Sequence, residues 1–210
     1  MKSKILLVAA IALLSSLSTF AQEFVQCKKG TLASYIALGA GGCMFGSALY
    51  RDFTYAAATT NPVSANDIIV DPVSVPITTN EFIGLNFSAS WSVAADKSEV
   101  SVIGYNTVPF PPVAGPALPG VDLTLDLGTA TVGGIIGSVT VQEQVTTGAI
   151  ASTTSLEVYD ICADACSLKR IDSVTLSSAS TLQTTLTVSL SGGTGGATLN
   201  NFAVDDVFAL

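Results

Sequence analysis

The sequence predicts an all-β protein, a two-sheet antiparallel sandwich of jelly-roll type with one short helix near its N-terminus. Apolar and polar residues alternate in many segments, and a period of two is the pattern of a strand with one buried face. Glycine-rich stretches separate these segments. Many short strands with one polar face each are typical of two packed antiparallel sheets, and a closed barrel is the alternative.

Residues 1–21 are predicted to be a secretory signal peptide. A basic start precedes the apolar run 5–14, and the small residues Thr19 and Ala21 occupy the −3 and −1 positions of a cleavage site. The apolar run is too short for a membrane span, although a retained anchor helix is the alternative. We therefore expect a secreted, extracellular or periplasmic protein with a single domain, residues 22–210, and no membrane span after cleavage.

The acidic charge of the chain disfavours one class of partner. The chain has 8 basic and 16 acidic residues and no histidine. Two of the lysines lie in the signal segment, so the mature chain has six basic and sixteen acidic residues, a net charge of −10. Such a surface repels nucleic acid and anionic membrane faces, and we expect neither as a partner.

The four cysteines are predicted to form two local disulfides, Cys27–Cys43 and Cys162–Cys166. Disulfides persist outside the cytoplasm, and four cysteines allow three pairings. The near-neighbour pairing fits the spacing best and requires a turn between the second pair, because an extended strand holds those residues too far apart. The first bond closes a ring around Thr31–Leu38, the segment predicted to be helical. Zinc binding is disfavoured, because histidine is absent and CxxxC is poor zinc spacing.

Ten segments are predicted to be strands. In Gly84–Val93 the alternation places Phe87 and Trp91 on one apolar face, so both are predicted to be core aromatics. The proline-rich segment 108–120 is predicted to be a surface connection, because proline is excluded from central strands. The predicted strands are Leu49–Ala57, Asp67–Val70, Gly84–Val93, Glu99–Thr107, Val121–Leu127, Ser138–Val145, Ser155–Ile161, Ile171–Leu176, Thr181–Leu190 and Leu199–Phe208.

The segment from Cys27 to Val93 resembles secreted bacterial β-sandwich proteins of the PEP-CTERM type, which carry an exosortase-sorted anchor. The resemblance rests on GTLASYIALGAGGC, MFGSALYRDFTYAA, IIVDP and GLNFSASWSV in this order. It implies a β-sandwich at the cell surface or in the exopolysaccharide matrix, and it implies no activity. The sequence ends in NFAVDDVFAL without the Pro-Glu-Pro anchor. We therefore expect either free release or a likeness of the globular domain alone.

Two acidic residues interrupt the apolar faces of predicted strands. Glu143 shares a face with neighbouring valines in SVTVQEQV, and Asp206 shares one with phenylalanine and valine in FAVDDVF. A β-bulge or strand end that turns each side chain to water is one interpretation. The other is a buried carboxylate with a compensating partner. Candidate cations are Arg51, Lys169 and Arg170. Calcium at Asp205 or Asp206 is a third interpretation, and no other cofactor is predicted.

The motifs of common catalytic sites are missing from the sequence. Without histidine there is no Ser-His-Asp or Cys-His arrangement, and no nucleophile elbow or phosphate loop occurs. Asp122 and Asp126 share one strand face, which is typical of a solvated face rather than a glycosidase pair. No catalytic residue is predicted. Because Trp91 is expected in the core, the candidate aromatics for a glycan-binding platform are Tyr50, Tyr55, Tyr105 and Tyr159.

These observations predict a secreted non-catalytic protein with a structural, adhesive or matrix-associated role. Its expected partners are extracellular polysaccharide or cell-surface components. The alternatives are a carbohydrate-binding module and a glycan-active enzyme that uses carboxylates alone. An exposed pocket with two convergent carboxylates would favour the enzyme.

Overall fold

The protein is a sandwich of two antiparallel sheets, each with seven strands in the described part of the chain. A computed structural model describes residues 24–59, 62–76, 81–109, 118–148, 152–163, 165–179 and 181–208. Side chains of residues 75, 76, 81, 82, 118–121, 177–179 and 206–208 are not described. The predicted signal peptide, residues 1–21, therefore lies outside the described residues.

The described elements are one α-helix, one 3-10 turn and fourteen strands. The helix α1 is Leu32–Ile36, and the 3-10 turn is Gly39–Gly41. The strands are β1 Gly30–Thr31, β2 Cys43–Phe45, β3 Ala48–Ala57, β4 Ile69–Pro76, β5 Glu81–Val93, β6 Ser98–Pro109, β7 Leu118–Leu127, β8 Ala130–Val132, β9 Gly137–Thr147, β10 Thr153–Cys162, β11 Cys166–Lys169, β12 Ile171–Ala179, β13 Leu182–Ser191 and β14 Ala197–Phe208.

The strand order confirms the predicted jelly roll. Sheet I runs β1-β4-β5-β14-β7-β12, with β8 also paired to β14, and sheet II runs β11-β10-β9-β13-β6-β3-β2. The jelly roll consists of the two four-stranded orders β5-β14-β7-β12 and β6-β13-β9-β10. Strand β4 extends sheet I beside β5, and β3 extends sheet II beside β6. The described residues form two separate sheets, so the closed-barrel alternative is wrong.

All ten predicted strands are present, and the largest correction concerns β4. It was predicted at Asp67–Val70 and lies at Ile69–Pro76, because Asp67 belongs to a turn in which its N–H donates to the carbonyl of Ser64 at 2.8 Å. Pro72 is tolerated because β1 pairs with β4 only at Ile69 and Val70 and leaves the rest as a sheet edge. The four strands that were not predicted have only two to four residues, too few for alternation to show.

The proline-rich segment 108–120 is a surface connection only in part. Its first two residues end β6 and its last three begin β7, so the prediction was wrong at both ends. At the first end the reason is position. Pro109 is the last residue of β6 and pairs with Ala48 of β3, so its missing N–H removes no hydrogen bond from the interior of the strand. Residues 110–117 lie outside the described residues.

The Cys27–Cys43 disulfide holds α1 against the sandwich, as predicted. Thr31 caps the helix, since its hydroxyl accepts a hydrogen bond from the N–H of Ser34 at 3.2 Å. Leu32 and Tyr35 are buried on the inner side of the helix. The helix ends earlier than predicted, because Gly39 adopts φ +55° and the chain passes into the 3-10 turn.

A chain of aromatic contacts connects this helix to the centre of the sandwich. Ring centroids lie 5.0 Å apart for Tyr35 and Phe53, and 5.3 Å apart for Phe53 and Tyr105. The chain crosses to sheet I at Phe87, 6.3 Å from Tyr105, and the Phe87 and Phe202 rings stack at 5.2 Å. Trp91 ends the chain 5.7 Å from Phe202. These rings form one continuous core between the sheets.

Candidate functional site

A polar cleft opens where the β3–β4 connection crosses from sheet II to sheet I. Its volume is about 410 Å³, which is in the range of small-ligand sites. Four of its lining residues carry hydroxyl or carboxyl groups. The described lining residues are Pro62, Val63, Asp67, Ser90, Ser92 and Glu99.

The length of β4 opens one wall of the cleft. Pairing between β4 and β5 begins at Ile69 and Ser88, so β5 beyond Ser88 has no β4 neighbour. Ser90 and Ser92 lie in this uncovered stretch on either side of the buried Trp91, and both are exposed. Alternation along β5 therefore places two hydroxyls at the cleft while the indole packs into the core.

Glu99 lies at the start of β6 and is almost fully buried, with 2% of its surface exposed. The N–H of Val63 and the hydroxyl of Ser101 each donate to its Oε1 at 3.4 Å. Tyr55 supports this arrangement, because its hydroxyl donates to the carbonyl of Val63 at 2.6 Å and lies 3.1 Å from the hydroxyl of Ser101. The carboxyl group thus holds the β3–β4 connection against β6.

Burial raises the pKa of Glu99 above its ordinary value of 4.5, and the hydrogen bonds from Val63 and Ser101 oppose that rise. Because the folded protein holds this proton more tightly than the unfolded chain, stability from Glu99 is present below pH 4.5 and declines as pH rises through the folded pKa.

We therefore expect Glu99→Gln to gain stability relative to the parent protein as pH rises from about 4 to neutral. Thermal unfolding of both proteins across that range measures the difference. Asp205 has a raised pKa as well, but it is present in both proteins and its contribution cancels. Ser98→Ala is the control and should differ from the parent by a constant amount. A pH-independent difference for Glu99→Gln would contradict the prediction.

Glu99 was missed in the sequence, although the necessary pattern was present. The predicted strand began at Glu99, and the same alternation that buries Ile103 and Tyr105 also places Glu99 on the inner face. The other lining residues come from segments far apart in sequence. Their approach depends on the crossing of the chain between sheets, which alternation does not reveal.

Glu143 is fully buried on β9, so the bulge that would turn it to water is absent there. Its register is continuous, opposite Leu156 of β10 and Leu186 of β13. It is not among the described lining residues of the cleft. The three candidate cations contact other groups. Arg51 Nε lies 3.5 Å from Asp52 Oδ2, and Lys169 Nζ lies 2.8 Å from Asp172 Oδ2. Arg170 Nη1 donates to the carbonyl oxygen of Gly128 at 3.0 Å.

Asp205 lies on the outer face of sheet I, where burial and the Asp126 carboxylate raise its pKa. A Cβ atom on the neighbouring Gly84 would overlap the Asp205 side chain, so the glycine makes room for this carboxyl group. The backbone of Asp206 pairs with Ile83 and Leu123, but its side chain lies outside the described residues. No described group of three or more potential ligand side chains is arranged for a metal ion. Calcium at Asp205 or Asp206 stays a prediction.

The remaining predicted residues are the second cysteine pair and the aromatic side chains. The second disulfide, Cys162–Cys166, closes the β10–β11 turn as predicted. Phe87 and Trp91 are fully buried. Tyr50 and Tyr105 are also buried and do not form a glycan platform, whereas Tyr159 is half-buried.

Asp122 lies on the solvated outer face of sheet I, where it accepts a hydrogen bond from the hydroxyl of Thr175. This placement agrees with the solvated face predicted for it. Asp126 follows on the same face of β7.

No family model and no curated protein matches the chain. A tailspike protein 4 enzymatically active domain from bacteriophage CBA120 is similar at 9% identity and a TM-score of 0.31, over 72% of this chain and 19% of that one. A carbohydrate-binding module from the β-sandwich superfamily is similar at 11% identity and a TM-score of 0.32, over 90% of this chain and 63% of that one.

The Cellvibrio mixtus lichenase 5A carbohydrate-binding module, in complex with cellotriose, is similar at 12% identity and a TM-score of 0.23. That match covers 65% of this chain and 86% of the module. The chain spans about a fifth of the tailspike domain and less than two thirds of the superfamily module. Similarities of this size establish no family. Among the described residues, no helix combines the length and the apolar character needed to cross a membrane.

Proposed function

We propose that the protein is an exported, non-catalytic polysaccharide-binding β-sandwich, and that the Glu99 cleft is its glycan site. The observation that supports this proposal is the cleft itself, a pocket of about 410 Å³ with two serines, Asp67 and Glu99 in its lining. Sugars present many hydroxyl groups, and carboxylates and serine hydroxyls accept and donate hydrogen bonds to them. Binding at this cleft would attach the protein to an extracellular matrix, which unites the adhesive role with the carbohydrate-binding one.

The construction of the cleft also supports binding. Its floor is Glu99, held by the backbone N–H of Val63 and the hydroxyl of Ser101, and its wall is a β-strand edge. Groups that are already fixed lose little conformational freedom when a ligand arrives, which favours affinity. The predicted export signal and the two disulfides fit a protein that works outside the cytoplasm.

We expect Glu99→Gln to weaken oligosaccharide binding by about tenfold or more, because a carboxylate acceptor at the floor of the cleft becomes an amide. Isothermal titration of the mature protein with a panel of soluble oligosaccharides measures the dissociation constants. Glu143→Gln is the matched control, since it makes the same change at a buried strand position outside the described cleft lining. Equal weakening by both variants, or no binding by the parent protein, would contradict the proposed site.

A carboxylate-dependent glycan hydrolase is the second candidate function. The observation that favours it is that Asp67 and Glu99 line one cleft, and that burial raises the pKa of Glu99 as a general acid requires. Soluble reducing ends, measured over time with the same oligosaccharides, decide between the two functions. Sustained release that Glu99→Gln abolishes and Glu143→Gln retains would establish the hydrolase, whereas binding without release would establish the non-catalytic function.

A further inference from the structure

We propose that the Glu99 cleft selects glycans that carry free ammonium groups, that is, polymers of amino sugars with unacetylated amines. This inference rests on the proposed function and specifies its ligand class. Both charged residues in the described lining, Asp67 and Glu99, are acids. A cationic sugar complements such a site, whereas a uronic acid or a sulfated sugar is repelled.

The carboxyl group of Glu99 lacks a cationic partner in the described chain. Its hydrogen bonds come from an uncharged backbone N–H and an uncharged hydroxyl, each at 3.4 Å. The ion pairs of the described residues join Lys29 to Asp71, Arg51 to Asp52 and Lys169 to Asp172, and none includes Glu99. A buried carboxylate without a counter-ion is costly, so a ligand ammonium that enters the cleft would relieve that cost.

The surroundings of Glu99 strengthen the preference for a cation. Among the described residues, the titratable groups near it are Tyr55 from β3 and Asp67 from the β3–β4 connection, while the part of β5 in the described lining contributes serine hydroxyls. Neither titratable group is positive at any pH. The mature chain adds a net charge of −10, which attracts a polycation from a distance.

An ammonium group suits this site better than a divalent metal ion. No group of three or more potential ligand side chains among the described residues is arranged for a metal, and Ca²⁺ takes six to eight oxygen ligands. An ammonium has three donors, which match the carboxylate and hydroxyl oxygens of the lining. The hydroxyl groups of the sugar ring would then bind Ser90, Ser92 and Asp67 at the rim.

The test compares four hexamers on the mature protein by isothermal titration: glucosamine, N-acetylglucosamine, cellohexaose and a hexa-uronate. Glucosamine hexamer is expected to bind about tenfold tighter than its acetylated form, in which each amine is an uncharged amide that carries an acetyl group. Added salt should weaken the binding of the glucosamine hexamer more than the binding of the neutral hexamers. Glu99→Gln should abolish most of this preference and leave weak binding of the acetylated form, while Glu143→Gln should retain the full preference.

The possible results distinguish failure of this inference from failure of the proposed function. Equal affinity for glucosamine and N-acetylglucosamine hexamers would overturn the ammonium preference and leave glycan binding intact. Preference for the hexa-uronate would do the same. A lysine hexapeptide is the fifth probe, and if it binds as tightly as the glucosamine hexamer, the cleft recognises ammonium groups without a sugar and the inference is overturned. No binding of any hexamer would overturn both the inference and the proposed function.

Discussion

Trp91→Ala is expected to lower the free energy of unfolding by about 3–5 kcal/mol. The indole is fully buried and packs 5.7 Å from the ring of Phe202, so its removal leaves a large cavity between the sheets. Urea unfolding followed by far-ultraviolet circular dichroism measures the loss without depending on tryptophan fluorescence. Trp91→Phe is the matched control and should lose clearly less, because a smaller ring still fills part of the site.

Two results would contradict this prediction. One is a loss below about 1 kcal/mol for Trp91→Ala, which is the size expected at a surface position. The other is a fluorescence maximum typical of exposed indole in the folded parent protein. Since Trp91 is the only tryptophan, that emission reports on this site alone.

Replacing Cys27 and Cys43 together by alanine is expected to cost about 3 kcal/mol on the loop-entropy account of disulfides. The bond spans 16 residues in sequence and encloses α1, whose Leu32 and Tyr35 are buried against the sandwich. Chemical unfolding of the double variant and of the oxidised parent measures the difference. The matched control removes the Cys162–Cys166 bond in the same way. That bond spans 4 residues, and its loss should cost less, about 2 kcal/mol.

A larger loss from the second disulfide would contradict this ranking. A second readout is proteolysis near α1. Without the first disulfide, the segment before β2 should become cleavable under native conditions, because fewer constraints hold the end of the chain in place. Removal of the second disulfide should leave this segment protected.

The features that could be predicted from the sequence depend on local patterns. The alternation in β5 placed Phe87 and Trp91 in the core, because the direction of a strand side chain is set by its own position. Cysteine spacing predicted both disulfides, because each bond joins cysteines that are close in sequence. Strand β1 was not predicted because its two residues form a strand only by pairing with Val70 and Ile69 of β4.

The candidate site depends on contacts that are distant in sequence. Val63, Ser90 and Glu99 line one cleft because the chain changes sheets after β3 and because the pairing of β4 with β5 does not extend beyond Ser88. Neither fact has a local signature. For Glu143 the pattern placed the side chain correctly on the inner face, and of the two interpretations, a bulge or strand end and a buried carboxyl group, the structure shows the buried group.

The position of β14 has a consequence for how the chain acquires its structure. This last described strand lies between β5 and β7, and Phe202 pairs with both Phe87 and Leu127. Synthesis delivers residues from the N-terminus, so sheet I stays divided into β1-β4-β5, β7-β12 and the single strand β8 until β14 is available. Partners so distant along the chain also make folding slow. Incomplete chains would expose the apolar inner faces of these parts, and we expect a ribosome-stalled or truncated product without β14 to be a substrate for chaperones and proteases.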